Sequence, residues 1–143
     1  MTAARLVASG LGTGFLPRAP GTWGSLAALV VGTALLAWSP WALPIGVVAA
    51  TLAGLWAIAR AGGEADPGWV VIDEVAGMWL TMAPLQHPRP LGLAAAFVLF
   101  RVLDIAKPGP IGWMDRRKDA LGVMGDDLVA GAIGAAIIWM LFG

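Results

Sequence analysis

Apolar residues run through this chain in long uninterrupted stretches, without the alternation of a half-exposed strand or the one-sided stripe of a surface helix. Residues 19–59, 41 in a row, carry no charge. A spanning helix needs about 20 apolar residues, so the window predicts two helices and a tight turn. Ser39-Pro40-Trp41 marks that turn, because proline disfavours helical backbone in the residue before it. The first helix is expected over residues 25–38 and the second over 42–59. Both are apolar all round, which means burial in lipid or in a large core.

A charged loop follows over residues 60–67, with Glu64 and Asp66. Residues 70–85 and 91–106 then read as a second helical hairpin, its turn set by the prolines of Gln86-His87-Pro88-Arg89-Pro90. A polar, turn-rich stretch over 107–125 carries the basic run Arg116-Arg117-Lys118, and the last helix is expected over 127–142. Small residues inside helices (Gly46, Ala50 and Gly54; Ala130 and Gly134) predict close helix packing. The first apolar stretch, residues 6–16, is short, glycine-rich and without a strong cleavage site, so it reads as part of the mature protein. The pattern therefore predicts an all-α integral membrane bundle, one domain over residues 1–143, with about five membrane-embedded helices joined by short hairpin turns.

Composition agrees with lipid as the solvent. Hydrophobic residues make up 59% and charged residues 13%, about half the ~25% charged fraction of a soluble domain. Eight tryptophans with no tyrosine suit a membrane interface. Zero net charge gives no basic field for nucleic acid. The lack of cysteine removes disulfides, thiolate nucleophiles and cysteine-bound zinc together. His87, the single histidine, lies in a proline-flanked turn and reads as an ordinary surface residue.

The charges are distributed unevenly. With a cytoplasmic N-terminus, five spans put the turns near Pro40 and Pro88 outside, together with the C-terminus. Of the nine basic residues only Arg89 falls there, which is the positive-inside pattern. All nine acidic residues fall inside as well. Acids contribute little to orientation, so their placement needs its own explanation. From Arg89 to Arg101 is twelve residues, roughly 18 Å of helix at 1.5 Å per residue, against a hydrocarbon core about 30 Å thick. Arg101 is thus expected below the inner interface, facing protein, with Asp73 and Glu74 at similar depth on the opposing arm. Ionisable groups at that depth are costly unless paired or functional.

Four motifs carry candidate chemistry. Asp73-Glu74 begins the third helix, where two carboxylates can grip a hard cation such as Mg²⁺ or simply compensate the helix dipole. Asp126-Asp127 opens the last helix, with Asp126 a candidate N-cap. Arg101, Asp104 and Lys107, three residues apart, share one broad helix face as either an ion-pair row or a phosphate clamp. Pro20-Gly-Thr-Trp-Gly-Ser25 precedes the first helix as either a turn capped by Ser25 or an anion-binding loop, and it is not a nucleotide-binding P-loop.

Taken together and in order, PGTWGSL (20–26), VIDEVAGMW (71–79), FRVLDIAKPGPIGWMDR (100–116) and GDDLVAG (125–131) resemble the bacterial phosphatidylglycerophosphatase A family. The resemblance implies Mg²⁺-dependent removal of the terminal phosphate from phosphatidylglycerophosphate, a phospholipid substrate, in the inner membrane with the site facing the cytoplasm. It implies Asp73, Glu74, Asp126 and Asp127 as metal ligands, with Asp73, Asp104 and Asp127 in catalysis. Thr22, Ser25, Arg101 and Lys107 would then hold substrate, and membrane lipids would surround the chain. The residues leave a water nucleophile and an aspartyl nucleophile both open. They give no phosphocysteine route and no Asp-x-Asp nucleophile motif.

Two non-enzymatic alternatives remain. Clustered intramembrane carboxylates also suit a divalent-cation transporter, although the outer half of the spans offers only Thr33, Thr51, Thr81 and turn residues as a polar path. A structural subunit would account for the small helix residues but not for paired acids. An alcohol phosphotransferase acting on CDP-linked lipids would need a longer spaced-aspartate motif that is absent.

Overall fold

Ser39 and Pro40 break the uncharged window where expected, and two long helices flank them. The computed structural model of the protein describes residues 2–16, 20–61, 70–107, 109–115 and 119–142. Among these are seven α-helices, α1 (Ala3–Ala8), α2 (Pro20–Trp38), α3 (Ala42–Ala61), α4 (Ile72–Met82), α5 (Pro90–Ala106), α6 (Pro110–Asp115) and α7 (Ala120–Phe142), with a 3-10 turn at Thr13–Phe15 and no strand. The expected charged loop at Glu64 and Asp66 and the basic run 116–118 lie outside the described residues.

Two helix starts differ from expectation. α2 begins at Pro20, not Ser25, so the glycine-rich segment is the helix's opening turns and Ser25 is not a cap. Proline suits the first helical position, where its missing N–H costs nothing and its φ is already helical. α7 begins at Ala120, not Asp127. Asp119 supplies the capping interaction instead, its Oδ1 accepting the Gly122 N–H at 2.8 Å. Asp126 is therefore no N-cap, and the Asp126-Asp127 pair sits well inside a helix.

α2, α3 and α7 contain the three segments long and apolar enough to cross a membrane, Gly21–Trp38, Ala42–Arg60 and Ala120–Phe142. Their outer faces carry exposed Val30, Val31, Ile45, Val48, Leu52, Trp139 and Leu141, a surface suited to acyl chains and not to water. Trp38 and Trp41 stand exposed at the α2–α3 turn, where indoles anchor at headgroup depth. α4, with 11 residues, is only about 16 Å long at 1.5 Å per residue. It packs against α2, α3, α5 and α7. Asp73, Glu74, Ala76, Gly77, Met78, Thr81 and Met82 are all buried along it. A helix packed among four others can be short and can carry carboxylates, because its acidic face meets protein and not lipid.

Small residues let α4 approach its neighbours. A Cβ on Gly131 of α7 would stand 2.6 Å from the Gly77 carbonyl oxygen, so the two backbones touch. Gly46 packs on Trp79, Gly54 on Met124 and Gly134 on Thr81, as the sequence predicts for close-packed positions. The Trp79 indole N–H donates to the Ala28 carbonyl at 2.8 Å, joining α4 to α2. On the outer side of Gly77, Phe100 from α5 fills the core completely buried, with Met78, Met82 and Ile138.

Candidate functional site

Three helices deliver charged side chains to one end of this bundle, and a fourth adds a serine. α4 brings Asp73 and Glu74 in its first turn. α5 brings Arg101 and Asp104, with Lys107 as its C-cap. α7 brings Asp126 and Asp127, and α2 brings Ser25. Adjacent residues on a helix point about 100° apart, so Asp73 and Glu74 reach different neighbours, whereas Asp126 and Asp127 keep carboxylate oxygens within 4.8 Å of each other. Glu74 turns toward α2 and α5, where its Oε2 accepts from Arg101 Nη1 at 3.1 Å and from the Ser25 hydroxyl at 3.2 Å. Arg101 Nη1 also donates to Asp104 Oδ2 at 2.8 Å. Lys107 Nζ donates to Asp126 Oδ2 at 3.1 Å and lies 3.7 Å from Asp104 Oδ1. Asp73 Oδ1 accepts the Glu74 backbone N–H at 3.0 Å, which gives it a first-turn role as well.

Exposure falls in steps from mouth to floor. The Lys107 side chain is 32% exposed and Arg101 15%, whereas Glu74 and Asp104 are at 11% and Asp126 at 3%. Cations thus line the rim and carboxylates the floor. Burial alone would lower the Lys107 ammonium, but the charge of Asp126, its hydrogen bond, and the charges of Asp104 and Asp127 hold it above its ordinary value. It stays protonated across the physiological range. Its backbone is left-handed, φ 48° and ψ 53°, a conformation costing a non-glycine residue roughly 1–2 kcal/mol. The contacts of its ammonium and the N–H bond to the Leu103 carbonyl at 2.9 Å hold it there.

On the floor, Asp126 Oδ1 and both oxygens of Asp127 lack a hydrogen-bond partner among the described residues, and Asp127 is the fuller case. It is 1% exposed. Buried carboxylates are ordinarily paired or bound to metal. Two sets of three carboxylates have ligand atoms mutually within 4.8 Å, namely Asp73, Asp126 and Asp127, and Glu74, Asp104 and Asp127. Oxygen-only donors of this kind fit a hard divalent cation such as Mg²⁺.

The structure gathers Ser25, Asp73, Glu74, Arg101, Asp104, Lys107, Asp126 and Asp127 into this one cluster. Thr22 is half-buried on α2 and makes no hydrogen bond to the cluster among the described residues. Ser25 faces inward, but its hydroxyl bonds the Gly21 carbonyl at 2.8 Å and Glu74, so it supports an acid within the site. Two glycines gain roles that the pattern did not assign. A Cβ on Gly21 would meet Glu74 Oε1 at 3.1 Å and Arg101 Nη1 at 3.3 Å, so α2 closes directly over that ion pair. A Cβ on Gly77 would meet the Asp127 carbonyl oxygen at 2.7 Å, so Gly77 sets the height of Asp127 against α4. Its position one helical turn beyond Asp73 is the only trace of this in the sequence.

The sequence model of the family described as PgpA, phosphatidylglycerophosphatase A, matches residues 6–142, which is nearly the whole chain. The chain belongs to that family. It is 40% identical over 141 residues to phosphatidylglycerophosphatase A of Escherichia coli K12, covering 95% of this chain and 81% of that protein. It is 36% identical over 149 residues to phosphatidylglycerophosphatase A of Haemophilus influenzae, covering 95% and 90%. A Bacteroides thetaiotaomicron protein named putative phosphatidylinositol-3-phosphatase is 38% identical over 143 residues, covering 93% and 89%. No solved structure matches. Family membership makes the chain a relative of bacterial lipid phosphatases, and its three apolar helices fit a membrane protein.

Proposed function

We propose that this protein removes the terminal phosphate of phosphatidylglycerophosphate, giving phosphatidylglycerol, by Mg²⁺-assisted phosphomonoester hydrolysis at the cytoplasmic face of a bacterial inner membrane. The observation that carries the reading is the layered site, with buried carboxylates beneath a rim of Arg101 and Lys107. A phosphomonoester is a dianion near neutral pH, and a rim of fixed cations draws it in. Arg101 spends Nη1 on Glu74 and Asp104, which leaves its other donors for phosphate oxygens. Lys107, protonated and held in one conformation, adds a second positive contact. Asp73, Glu74, Asp126 and Asp127 would hold Mg²⁺, which supplies Lewis-acid polarisation of the phosphoryl group. Asp104, which contacts Arg101 and Lys107, would serve as a fifth metal ligand or as the base that takes a proton from an attacking water. Ser25 keeps the Glu74 carboxylate in position, and Thr22 would contact substrate.

In this reading α2, α3, α4, α5 and α7 are all embedded. α2, α3 and α7 cross, while α4 and α5 form an inner hairpin that enters from the cytoplasmic side. Acyl chains stay in lipid between the helices, so only the headgroup enters the site. The names of the two phosphatidylglycerophosphatase relatives support the substrate, and the basic asymmetry of the loops supports the orientation.

The test is phosphate release by the full chain in nanodiscs. Phosphatidylglycerophosphate with Mg²⁺ should be hydrolysed, and EDTA should stop the reaction. Phosphatidylinositol 3-phosphate belongs in the same assay, because the Bacteroides relative carries that name. Preference for it would overturn the substrate assignment, and no release from either would overturn the enzyme.

A variant of the rim adds a sharper expectation. Arg101→Lys keeps the charge but replaces a planar fork with a point charge that cannot serve Glu74, Asp104 and phosphate together. kcat/KM should fall by roughly 10–100-fold, about 1.4–2.7 kcal/mol of transition-state stabilisation. Steady-state kinetics decide it, and an unchanged kcat/KM would remove Arg101 from substrate binding.

A further inference from the structure

The five carboxylates on the floor of the site do not form a single ligand set. Asp73 and Asp126 gather with Asp127 on one side, and Glu74 and Asp104 gather with Asp127 on the other, each set within 4.8 Å. Only Asp127 belongs to both. It is also the carboxylate whose two oxygens are both buried without a hydrogen-bond partner among the described residues. The rim cations divide as well. Arg101 contacts Glu74 and Asp104, and Lys107 reaches across from Asp104 to Asp126.

From this arrangement we infer that the site holds two divalent cations side by side, with Asp127 bridging them through its two oxygens. Mg²⁺ is ordinarily held by one or two carboxylates, its remaining positions going to water and phosphate oxygens. Five carboxylates exceed what one such ion takes while leaving room for substrate. Shared between two ions, they give each two carboxylates of its own plus one arm of Asp127. A single ion would leave one set of acids without a metal, with only the rim side chains Arg101 or Lys107 as counter-charge. An apolar floor would be cheaper than an unmetallated one, since an unpaired buried carboxylate costs several kcal/mol. Paired ions also suit phosphoryl transfer, where one stabilises the attacking oxygen and the other the leaving oxygen.

The inference rests on the metal-assisted part of the proposed function, so its test reads metal and not turnover. Purified full chain in nanodiscs is titrated with Mn²⁺, and bound metal per chain is measured by equilibrium dialysis alongside the electron paramagnetic resonance spectrum. Wild type should saturate at two Mn²⁺ per chain, with the six-line signal of isolated Mn²⁺ lost to spin coupling between neighbours. Asp73→Asn and Asp104→Asn should each bind one ion and regain the six-line signal, and Asp127→Asn should bind no more than one, uncoupled. Saturation of wild type at one ion, with Mg²⁺-dependent phosphate release intact, would overturn the pair and leave the phosphatase standing. Two ions that stay uncoupled, or that both survive in Asp127→Asn, would overturn the bridge. No bound Mn²⁺, with phosphate release indifferent to EDTA, would overturn metal in both readings. The wild-type stoichiometry decides the central point even if a variant fails to fold.

Discussion

Asp127→Asn is expected to lower phosphate release by about 10³-fold or more while leaving the metal-free protein at least as stable as the parent. A 10³-fold loss corresponds to about 4 kcal/mol of transition-state stabilisation. The activity loss follows from position, because Asp127 is the carboxylate common to both acidic sets and lies on the floor of the site. The stability effect has the opposite sign. In the absence of a cation Asp127 is a buried carboxylate without a donor, close to Glu74, Asp73 and Asp104. Asparagine has nearly the same shape, removes the repulsion and brings an NH₂ that can donate to a neighbouring carboxylate. Two measurements check it, kcat with Mg²⁺ and thermal unfolding in EDTA. Unfolding at lower temperature, with activity within tenfold of wild type, would make Asp127 a structural residue.

Gly77→Ala should be the most destabilising single-methyl change in the bundle, by about 2–4 kcal/mol. The added Cβ would stand 2.5 Å from Phe100 Cε1 and 2.7 Å from the Asp127 carbonyl oxygen. Phe100 is completely buried and cannot swing away. The carbonyl is backbone, so relief requires α7 to move off α4, carrying Asp126 and Asp127 with it. Activity should therefore fall together with stability. Gly54→Ala is the control. Its Cβ would meet Met124 at Sδ, 2.6 Å, and Cε, 2.9 Å, the far end of a flexible side chain that can repack. It should cost less than about 1 kcal/mol. Thermal unfolding of both variants in one detergent gives the comparison, and equal midpoints would show that the α4–α7 seam is not tight.

The acidic pairs show how far a linear reading reaches. Asp73-Glu74 and Asp126-Asp127 are visible as doublets, and their one-sided distribution already separates them from topology. The first doublet splits in space, since Glu74 bonds Arg101 and Ser25 while Asp73 gathers with Asp126 and Asp127 of α7. Which partner each acid finds depends on which helices are neighbours, and no spacing along the chain encodes that. Twelve residues from Arg89 place Arg101 level with the start of α4, and the Arg101–Glu74 contact at 3.1 Å agrees.

The two displaced helix starts have a common cause. Pro20-Gly-Thr-Trp-Gly and Ala120-Leu-Gly-Val-Met-Gly look like turns because glycine usually breaks helices. In the fold their glycines face protein. Gly24 meets Val71, Gly21 meets the Glu74–Arg101 pair, and Gly122 and Gly125 are buried. Packing a helix against protein on that face repays the lost propensity, which is a tertiary effect invisible to local pattern.

By itself, the sequence determined that the described chain is helical with segments apolar and long enough to cross a membrane, where its first hairpin turns, which family it belongs to and which acidic and basic residues are candidates for a site. Those properties follow from solvent preference and from residue identity, and both are local. Only the tertiary structure decided that α4 is a short inner helix packed among four others, and that five carboxylates from three helices meet at Asp127 beneath two cations. Those depend on helix rotation and interhelical distance, quantities set by side-chain interlock between segments far apart in the chain.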